Sequence, residues 1–460
     1  MPPFIATTSE ATPKPIIVVE RTNFDNWLAS QSDAYKSWIA AHDFELEDGK
    51  LLLLPGTDHG IEAVLYVKDS AWDIWSLADL PGQLPAGSYS LETELDEREA
   101  TDLATGWSLG TYNFDRYKKN KKNYATLILP DGADESKIAR TVKAMTLVRD
   151  LINTPAGDLG PSALEAAASQ VAGEFEAEQT NIIGDDLLTY HFPMVHAVGR
   201  AAADAPRLID IVWGDKNAPK VTLVGKGVCF DSGGLDIKSA AGMLMMKKDM
   251  GGAATVLGLA HMIMDANLPV RLRVLIPAVE NAISGNAFHP GDVLTSRNGK
   301  TVEIGNTDAE GRLILADALA AADEESPDLL IDMATLTGAA RVAVGTEIAA
   351  TFTDDDALFE AIEENARLEK DPVWRMPLWD DYRHLIDSKI ADINNSGSGA
   401  GYAGAITAGL FLKEFVENVA SWVHFDIMAY NVRSRPGRPI GGEAFAMRAL
   451  FSLIEKRYPS

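Results

Sequence analysis

A single cysteine, Cys229, serves all 460 residues, so no disulfide can form within the chain, which suits a reducing compartment. Long apolar runs are missing as well: no window approaches the length needed to cross a bilayer. The start, MPPFIATTSEATPKPIIVVERTNF, lacks a basic segment followed by an apolar core of signal-peptide length, and the expected address is the cytoplasm. Basic residues are in deficit, 41 against 67 acidic, for a formal charge of -26. Such a surface repels phosphate backbones and speaks against nucleic acid as a general partner. Its plain consequence is solubility. Common chemical signatures are absent too: there is no HExxH, no Cys/His zinc pattern, no GxxxxGK(S/T) and no GxSxG. No internal repeat is visible, and GSGAGYAG at 397–404 is the nearest approach to low complexity.

What is present describes a globular α/β protein. The composition is 46% apolar and 23% charged, and a chain of this length can form two domains with a large core. Residues 1–135 mix strand-like runs (LLLLP at 51–55, AVLYV at 63–67, ATLILP at 125–130) with helical ones. They hold no catalytic cluster; His42 and His59 are their only histidines, and neither sits in a ligand-like pair. This part reads as a small N-terminal α/β domain with a structural or assembly role. From about 137, Ile138, Val142, Met145 and Val148 recur at helical steps and Pro155 closes the segment, which predicts a bridging helix. Residues 136–460 therefore comprise this linker helix and a larger second domain. There, RLIDIVWG (207–214), KVTLVGKGVCF (220–230), RLRVLIPAV (271–279) and DLLIDMATL (328–336) read as strands without strict alternation, as when both faces are buried. Helical segments at 252–267 and 312–325 separate them. The alternation predicts a doubly wound central sheet, with a site beyond the carboxyl ends of its strands.

Two segments concentrate metal-capable residues, each just past a strand-like run. In NTDAEGRLILADAL (306–319), Asp308, Glu310 and Arg312 are spaced i, i+2, i+4 and would share one face of an extended chain. Two carboxylates and a guanidinium so placed repel or pair unless something organises them, and a divalent metal does so. A helix starting near Arg312 would add free backbone N–H groups and make an anion pocket with the arginine. The segment at 224–254 supplies Asp231, Asp249, Lys226 and Lys238, while Gly233, Gly234, Gly251 and Gly252 permit tight turns. Any one of these charges alone is more simply a solvated surface group. Two glycine-rich charged clusters after buried strands are not.

These segments resemble the leucyl aminopeptidase (cytosol aminopeptidase) family. NTDAEGRL, that family's best-known motif, stands intact at 306–313, and the block VGKG..FDSGG...K..........KDMGGAA matches in order and spacing. The likeness continues through RDLINTPAGDLGP (149–161), HPGDVLTSRNGKTVE (289–303), DMATLTGA (332–339) and GAITAGLFLKEF (404–415). The resemblance implies a metal-dependent aminopeptidase that releases the N-terminal residue of short peptides, an apolar one by expectation. Lys226, Asp231, Asp249, Asp308 and Glu310 would hold two divalent ions, zinc or manganese, with Asp231 and Glu310 bridging them. Lys238 would polarise the scissile carbonyl, and Arg312 would hold a bicarbonate serving as general base. Met246, Asn306, Thr335, Leu336 and Gly338 would contact the substrate, although Met246 could equally be core packing. The family likeness further implies a homohexamer with sites facing an internal cavity. Two departures stand out. Cys229 occupies a position where threonine is usual, and HFDIMAYN (424–431) differs from the HLDIAG pattern at the pocket floor. Two other readings compete: a catalytically weak scaffold of the same fold, and a two-metal phosphoesterase, which would not need Lys226 and Lys238.

Overall fold

Apolar runs without strict alternation become strands covered on both faces, and the helices between them supply the cover. The structure, a computed structural model, describes residues 2–56, 60–119, 122–397 and 401–459. His59 and part of the GSGAGYAG stretch lie outside the described residues. Contacts divide the chain into two units, one of Met1–Thr146 with Ser434–Pro439, the other of Leu147–Arg433 with Ile440–Ser460. The division falls inside the helix Glu135–Asn153. Among the described residues, no helix is long and apolar enough to cross a membrane.

The first unit is built on six strands: β1 (Ile5–Ala6), β2 (Lys14–Val19), β3 (Leu51–Pro55), β4 (Ile61–Val67), β5 (Ser88–Glu92) and β6 (Thr126–Ile128). Their order is β1-β6-β5-β2-β4-β3, and every pair is parallel except β3 with β4. The helix Glu97–Gly110 starts on a reciprocal cap: Glu99 N donates to Asp96 Oδ1 at 2.8 Å and Asp96 N donates to Glu99 Oε2 at 3.2 Å. Its apolar face buries Ala100, Leu103, Ala104 and Trp107. Gly106 is required there, because a Cβ would lie 1.6 Å from the Ile74 carbonyl oxygen.

The second unit continues with β7 (Glu178–Ile183), β8 (Arg207–Trp213), β9 (Lys220–Gly225), β10 (Gly227–Asp231), β11 (Arg271–Asn281), β12 (Val293–Thr295) and β13 (Thr301–Glu303). After these come β14 (Leu329–Ala334), β15 (Ala349–Phe352), β16 (Val373–Met376), β17 (Ile393–Asn394) and β18 (Trp422–Asp426). Nine of them form a mixed sheet in the order β16-β15-β18-β14-β9-β11-β8-β7, with β10 pairing to β11. The central strands β18, β14, β9, β11 and β10 are mutually parallel, so their carboxyl ends converge on one edge. The helices Gly251–Asp265 and Gly311–Asp323 pack against β9, β11 and β14 and are buried around nearly their whole circumference. That explains why neither sequence shows a polar stripe. Leu315 is fully buried in the second helix, and its truncation to Ala would cost about 2–5 kcal/mol. A separate sheet, β12-β13-β17, carries the chain into the 306–310 turn.

One expectation needs correcting. The run KVTLVGKGVCF is two strands, not one. β9 pairs with β14 on one side and β11 on the other, but past Lys226 the chain follows β11 alone, from Gly227 opposite Ala278 to Asp231 opposite Asn281. Two hydrogen bonds pin the break: Lys226 N donates to Met333 O at 3.0 Å, and Ala253 N donates to Lys226 O at 2.9 Å. Because the chain leaves β14 there, a crevice opens at the carboxyl ends of the central strands.

Candidate active site

The crevice is lined by residues that these strand ends deliver. Lys226 follows β9, Asp231 ends β10, Asn281 ends β11, Thr335 and Leu336 follow β14, and Asp426 ends β18. Asp249 lies two residues before the helix Gly251–Asp265 and Glu310 one residue before Gly311–Asp323, where the helix dipole favours a carboxylate. The resulting cavity of ≈ 420 Å³ includes Lys226, Asp231, Lys238, Met246, Asp249, Asp308, Thr335, Leu336 and Gly338 in its wall. Glu310 is fully buried behind it, while Asn306 and Arg312 are absent from the lining.

Carboxylates meet here at close range. Asp231, Asp308 and Glu310 each present an oxygen within 4.8 Å of the others, the one such group among the described residues. Lys226 Nζ lies 2.7 Å from Asp249 Oδ2, 3.1 Å from Glu310 Oε1 and 3.0 Å from the Thr335 carbonyl oxygen. Lys238 Nζ lies 2.7 Å from Asp231 Oδ2 and also pairs with Asp308. Burial opposes the charge on both amines, yet the surrounding carboxylates overcome it and hold both well above the usual lysine range. Burial, with repulsion from Asp231, pushes Glu310 up to about 8. Asp308 is raised by burial and by Asp231. For Asp249, burial is outweighed by Lys226 and Lys248, and its carboxyl is held below the usual range.

Local chemistry fixes each group. Asp231 Oδ1 accepts from Gly233 N and Asn281 Nδ2, both at 2.9 Å. Gly233 and Gly234 have φ of +88° and +66°, and a Cβ on Gly233 would lie 2.5 Å from Asp236 O. A Cβ on Gly311 would fall 2.4 Å from Lys226 Cε, so glycine is what lets the lysine pass the helix start. Asp249 Oδ1 accepts from Thr335 Oγ1 at 2.7 Å.

The 306–310 segment is not extended, contrary to the spacing argument. Asp308 N donates to Asn306 Oδ1 at 2.8 Å and Ala309 N donates to Asn306 O at 3.2 Å, closing an Asx turn. The carboxylates converge through this turn and not through strand alternation. Asn395 clamps it: Oδ1 accepts from Gly305 N at 2.8 Å, and Nδ2 donates to Asn306 O at 2.8 Å. Thr307 and Asp236 lock the turn to the 231–238 loop, with Thr307 N donating to Asp236 Oδ2 at 2.8 Å and Thr307 Oγ1 donating to Gly233 O at 2.7 Å. Asn281, Asn395, Asp236 and Thr307 went unnoticed in the sequence. Of these, only Thr307, inside the NTDAEGRL motif, and Asn281, two residues past the strand-like run at 271–279, carried any signal.

Arg312 is buried, and burial lowers its pKa to about 10. Its Nη1 donates to Asn395 O at 2.6 Å, while Nε has no hydrogen-bond partner among the described residues. Cys229 is buried, and burial pushes its thiol pKa up, which disfavours the thiolate. His424 is buried with Nδ1 2.5 Å from Asp332 Oδ1, a structural pair away from the cavity lining.

The donor set fits divalent metal. Carboxylates within 4.8 Å of one another, Asp231 and Glu310 buried and Asp308 half-buried, need a compensating cation, and oxygen ligands suit hard or borderline dications. Comparison with known proteins agrees. Residues 146–451 match the family described as the cytosol aminopeptidase family, catalytic domain, and residues 14–130 match the M17 aminopeptidase N-terminal domain. The chain is 39% identical over 365 residues to Peptidase B of Pectobacterium carotovorum subsp. carotovorum (strain PC1), covering 77% of this chain and 83% of that protein. It is 37% identical over 374 residues to a probable cytosol aminopeptidase of Clostridium perfringens (strain 13 / Type A), covering 77% and 75%. The crystal structure of a cytosol aminopeptidase from Coxiella burnetii superposes with a TM-score of 0.95 at 47% identity, covering 99% of both chains. A bottromycin maturation enzyme in complex with Mn matches with a TM-score of 0.85 at 30% identity, covering 97% of this chain and 100% of that one.

Proposed function

The chain belongs to the cytosol aminopeptidase family and is an aminopeptidase, and from that premise we propose that it removes single, chiefly apolar residues from the N-terminus of short peptides at the crevice just described. The observation that carries this reading is the convergence of Asp231, Asp308 and Glu310 beside buried Lys226 and half-buried Lys238. In this proposal Lys226, Asp231, Asp249, Asp308 and Glu310 hold two divalent cations, with zinc and manganese the candidates. Bound there, such a pair supplies Lewis acidity for water activation and for the developing charge on the carbonyl.

The chain's own groups do the rest. Lys226 acts as a neutral amine ligand, a state favoured only beside a bound dication. Lys238 keeps its charge, because Asp231 and Asp308 hold it, and donates to the oxyanion as the carbonyl becomes tetrahedral. Arg312 holds bicarbonate as the general base; its buried, unpartnered Nε supports an anion at that place. The released residue's side chain lies against Met246, Thr335, Leu336 and Gly338, and Asn306 keeps Asp308 in register through the Asx turn. We assign the N-terminal unit a role in assembly, within a homohexamer acting in the cytoplasm.

Hydrolysis of leucine p-nitroanilide and a dipeptide panel by chelator-stripped protein, before and after manganese or zinc, tests the proposal. Metal-restored release of the N-terminal residue is expected. A folded protein inactive with every metal would instead favour the scaffold reading.

A further inference from the structure

Asn395 reaches both the carboxylate turn and Arg312. β17 pairs in parallel with β13, Glu303 opposite Asn394, and Asn395 N extends the ladder by donating to Glu303 O at 3.0 Å. That pairing brings Asn395, fully buried, against the 305–309 turn. Backbone groups of the turn take up both acceptor and both donor positions of its amide. Oδ1 accepts from Gly305 N at 2.8 Å and Asn306 N at 3.3 Å, while Nδ2 donates to Asn306 O at 2.8 Å and Ala309 O at 3.2 Å. Aspartate, of the same size, would keep the acceptors and lose the donors. The main-chain carbonyl serves the other partner. Arg312 Nη1 donates to Asn395 O at 2.6 Å, and the guanidinium lies over the Phe411 ring, 5.9 Å from its centroid. The fit is close: a Cβ on Gly305 would strike Ser396 Oγ and lie 2.7 Å from Asn394 Oδ1. The turn that carries Asp308 and the arginine two residues past Glu310 thus share one buried support.

We propose that Asn395 is a positioning residue that couples the metal-binding turn to Arg312: its amide fixes the turn, and its carbonyl fixes the arginine. The inference rests on the two-metal aminopeptidase reading and extends it to a residue outside the cavity wall. Removing the amide leaves buried backbone groups of Gly305, Asn306 and Ala309 unsatisfied, so the turn must shift to find partners. Asp308 then loses its spacing to Asp231 and Glu310, and Arg312 loses its fixed acceptor. Partners that orient metal ligands in this way are worth about 10–100-fold in metal affinity or activity.

The test uses full-length wild type, Asn395→Ala, Arg312→Ala and the double variant. Manganese affinity is read by competition with a chelating indicator, and kcat on leucine p-nitroanilide is read at saturating manganese. Asn395→Ala is expected to weaken manganese binding by about 10–100-fold. Because part of its effect runs through Arg312, it should also cost less kcat in the Arg312→Ala background than in wild type. Wild-type manganese affinity in folded Asn395→Ala, or equal kcat losses in the two backgrounds, would overturn the proposal. Should Asn395→Ala fail to fold, the isosteric Asn395→Asp decides. Its added negative charge alone would tighten a dication, so weaker binding marks lost positioning, and unchanged or tighter binding overturns the proposal. A wild type that binds no manganese, or that is inactive when loaded, would sink the aminopeptidase reading itself, and this inference with it.

Discussion

Neighbouring stretches of one cavity wall treat the same side chain differently. At the strand-end cluster, Lys226 lies within ion-pair distance of Asp249 and Glu310, and Lys238 pairs with Asp231 and Asp308. Lys248 and Arg341 line the same cavity without a side-chain hydrogen bond among the described residues, and Lys248 Nζ reaches Asp249 Oδ1 only at 4.0 Å. Close ion pairs hold one another in place and fix a geometry, whereas a pair stretched to 4.0 Å constrains it less. Composition alone would count these four cations as equivalent. Their surroundings separate those locked into the carboxylate cluster from those held loosely beside it.

The largest expected effect comes from breaking the paired stretch. Asp308→Ala and Glu310→Ala should abolish hydrolysis and lower the bound metal measured by elemental analysis; full metal stoichiometry in either variant would remove that residue from the ligand set. Next comes Lys238→Ala, expected to cut kcat by about 10²–10³-fold, the usual loss for one oxyanion donor, while metal content stays at the wild-type level. A loss of metal instead would make Lys238 a structural counter-charge to Asp231 and Asp308. Arg312→Ala should cost less than Lys238→Ala, and added bicarbonate should stimulate wild type but not the variant. Equal stimulation of both would place the anion elsewhere. Either way, the comparison sharpens, because Arg312 belongs to neither stretch of the wall.

Much of this was legible from residue order, for identifiable reasons. Strands buried on both faces leave unbroken apolar runs, so β8, β11 and β14 stood out, and carboxylates clustered after such runs pointed to the site. The break at Lys226 was not legible, because it depends on hydrogen bonds to Met333 and Ala253, one of them 107 positions away by sequence number. Likewise, the Asx turn at Asn306 was hidden by the i, i+2, i+4 spacing, which suggested an extended chain; the clamp from Asn395 that stabilises the turn arrives from another strand. Lys248 was invisible for a related reason. One lysine in KKDMGG looks like any other until the fold buries it with Asp249 Oδ1, 4.0 Å away, as its nearest carboxylate oxygen.

The smallest expected effect concerns stability in chelator-stripped protein, where the paired stretch has only its lysines as counter-charge. Glu310 has an ordinary pKa of 4.5 and is pushed up to about 8, first by burial and then by Asp231. A raised carboxyl pKa means that the folded state binds the proton more tightly than the unfolded chain does. Its favourable contribution is therefore present at low pH and lost as pH climbs from about 4.5 to about 8, with a slope of at most about 1.4 kcal/mol per pH unit. Urea midpoints of stripped wild type should fall between pH 5.5 and 8.5, and Glu310→Gln, which cannot ionise, should fall less. Saturating metal should flatten the wild-type profile, since a cation then favours the carboxylate. Parallel profiles for stripped wild type and Glu310→Gln would mean that Lys226 already offsets Glu310 fully, and that the paired stretch is balanced without metal.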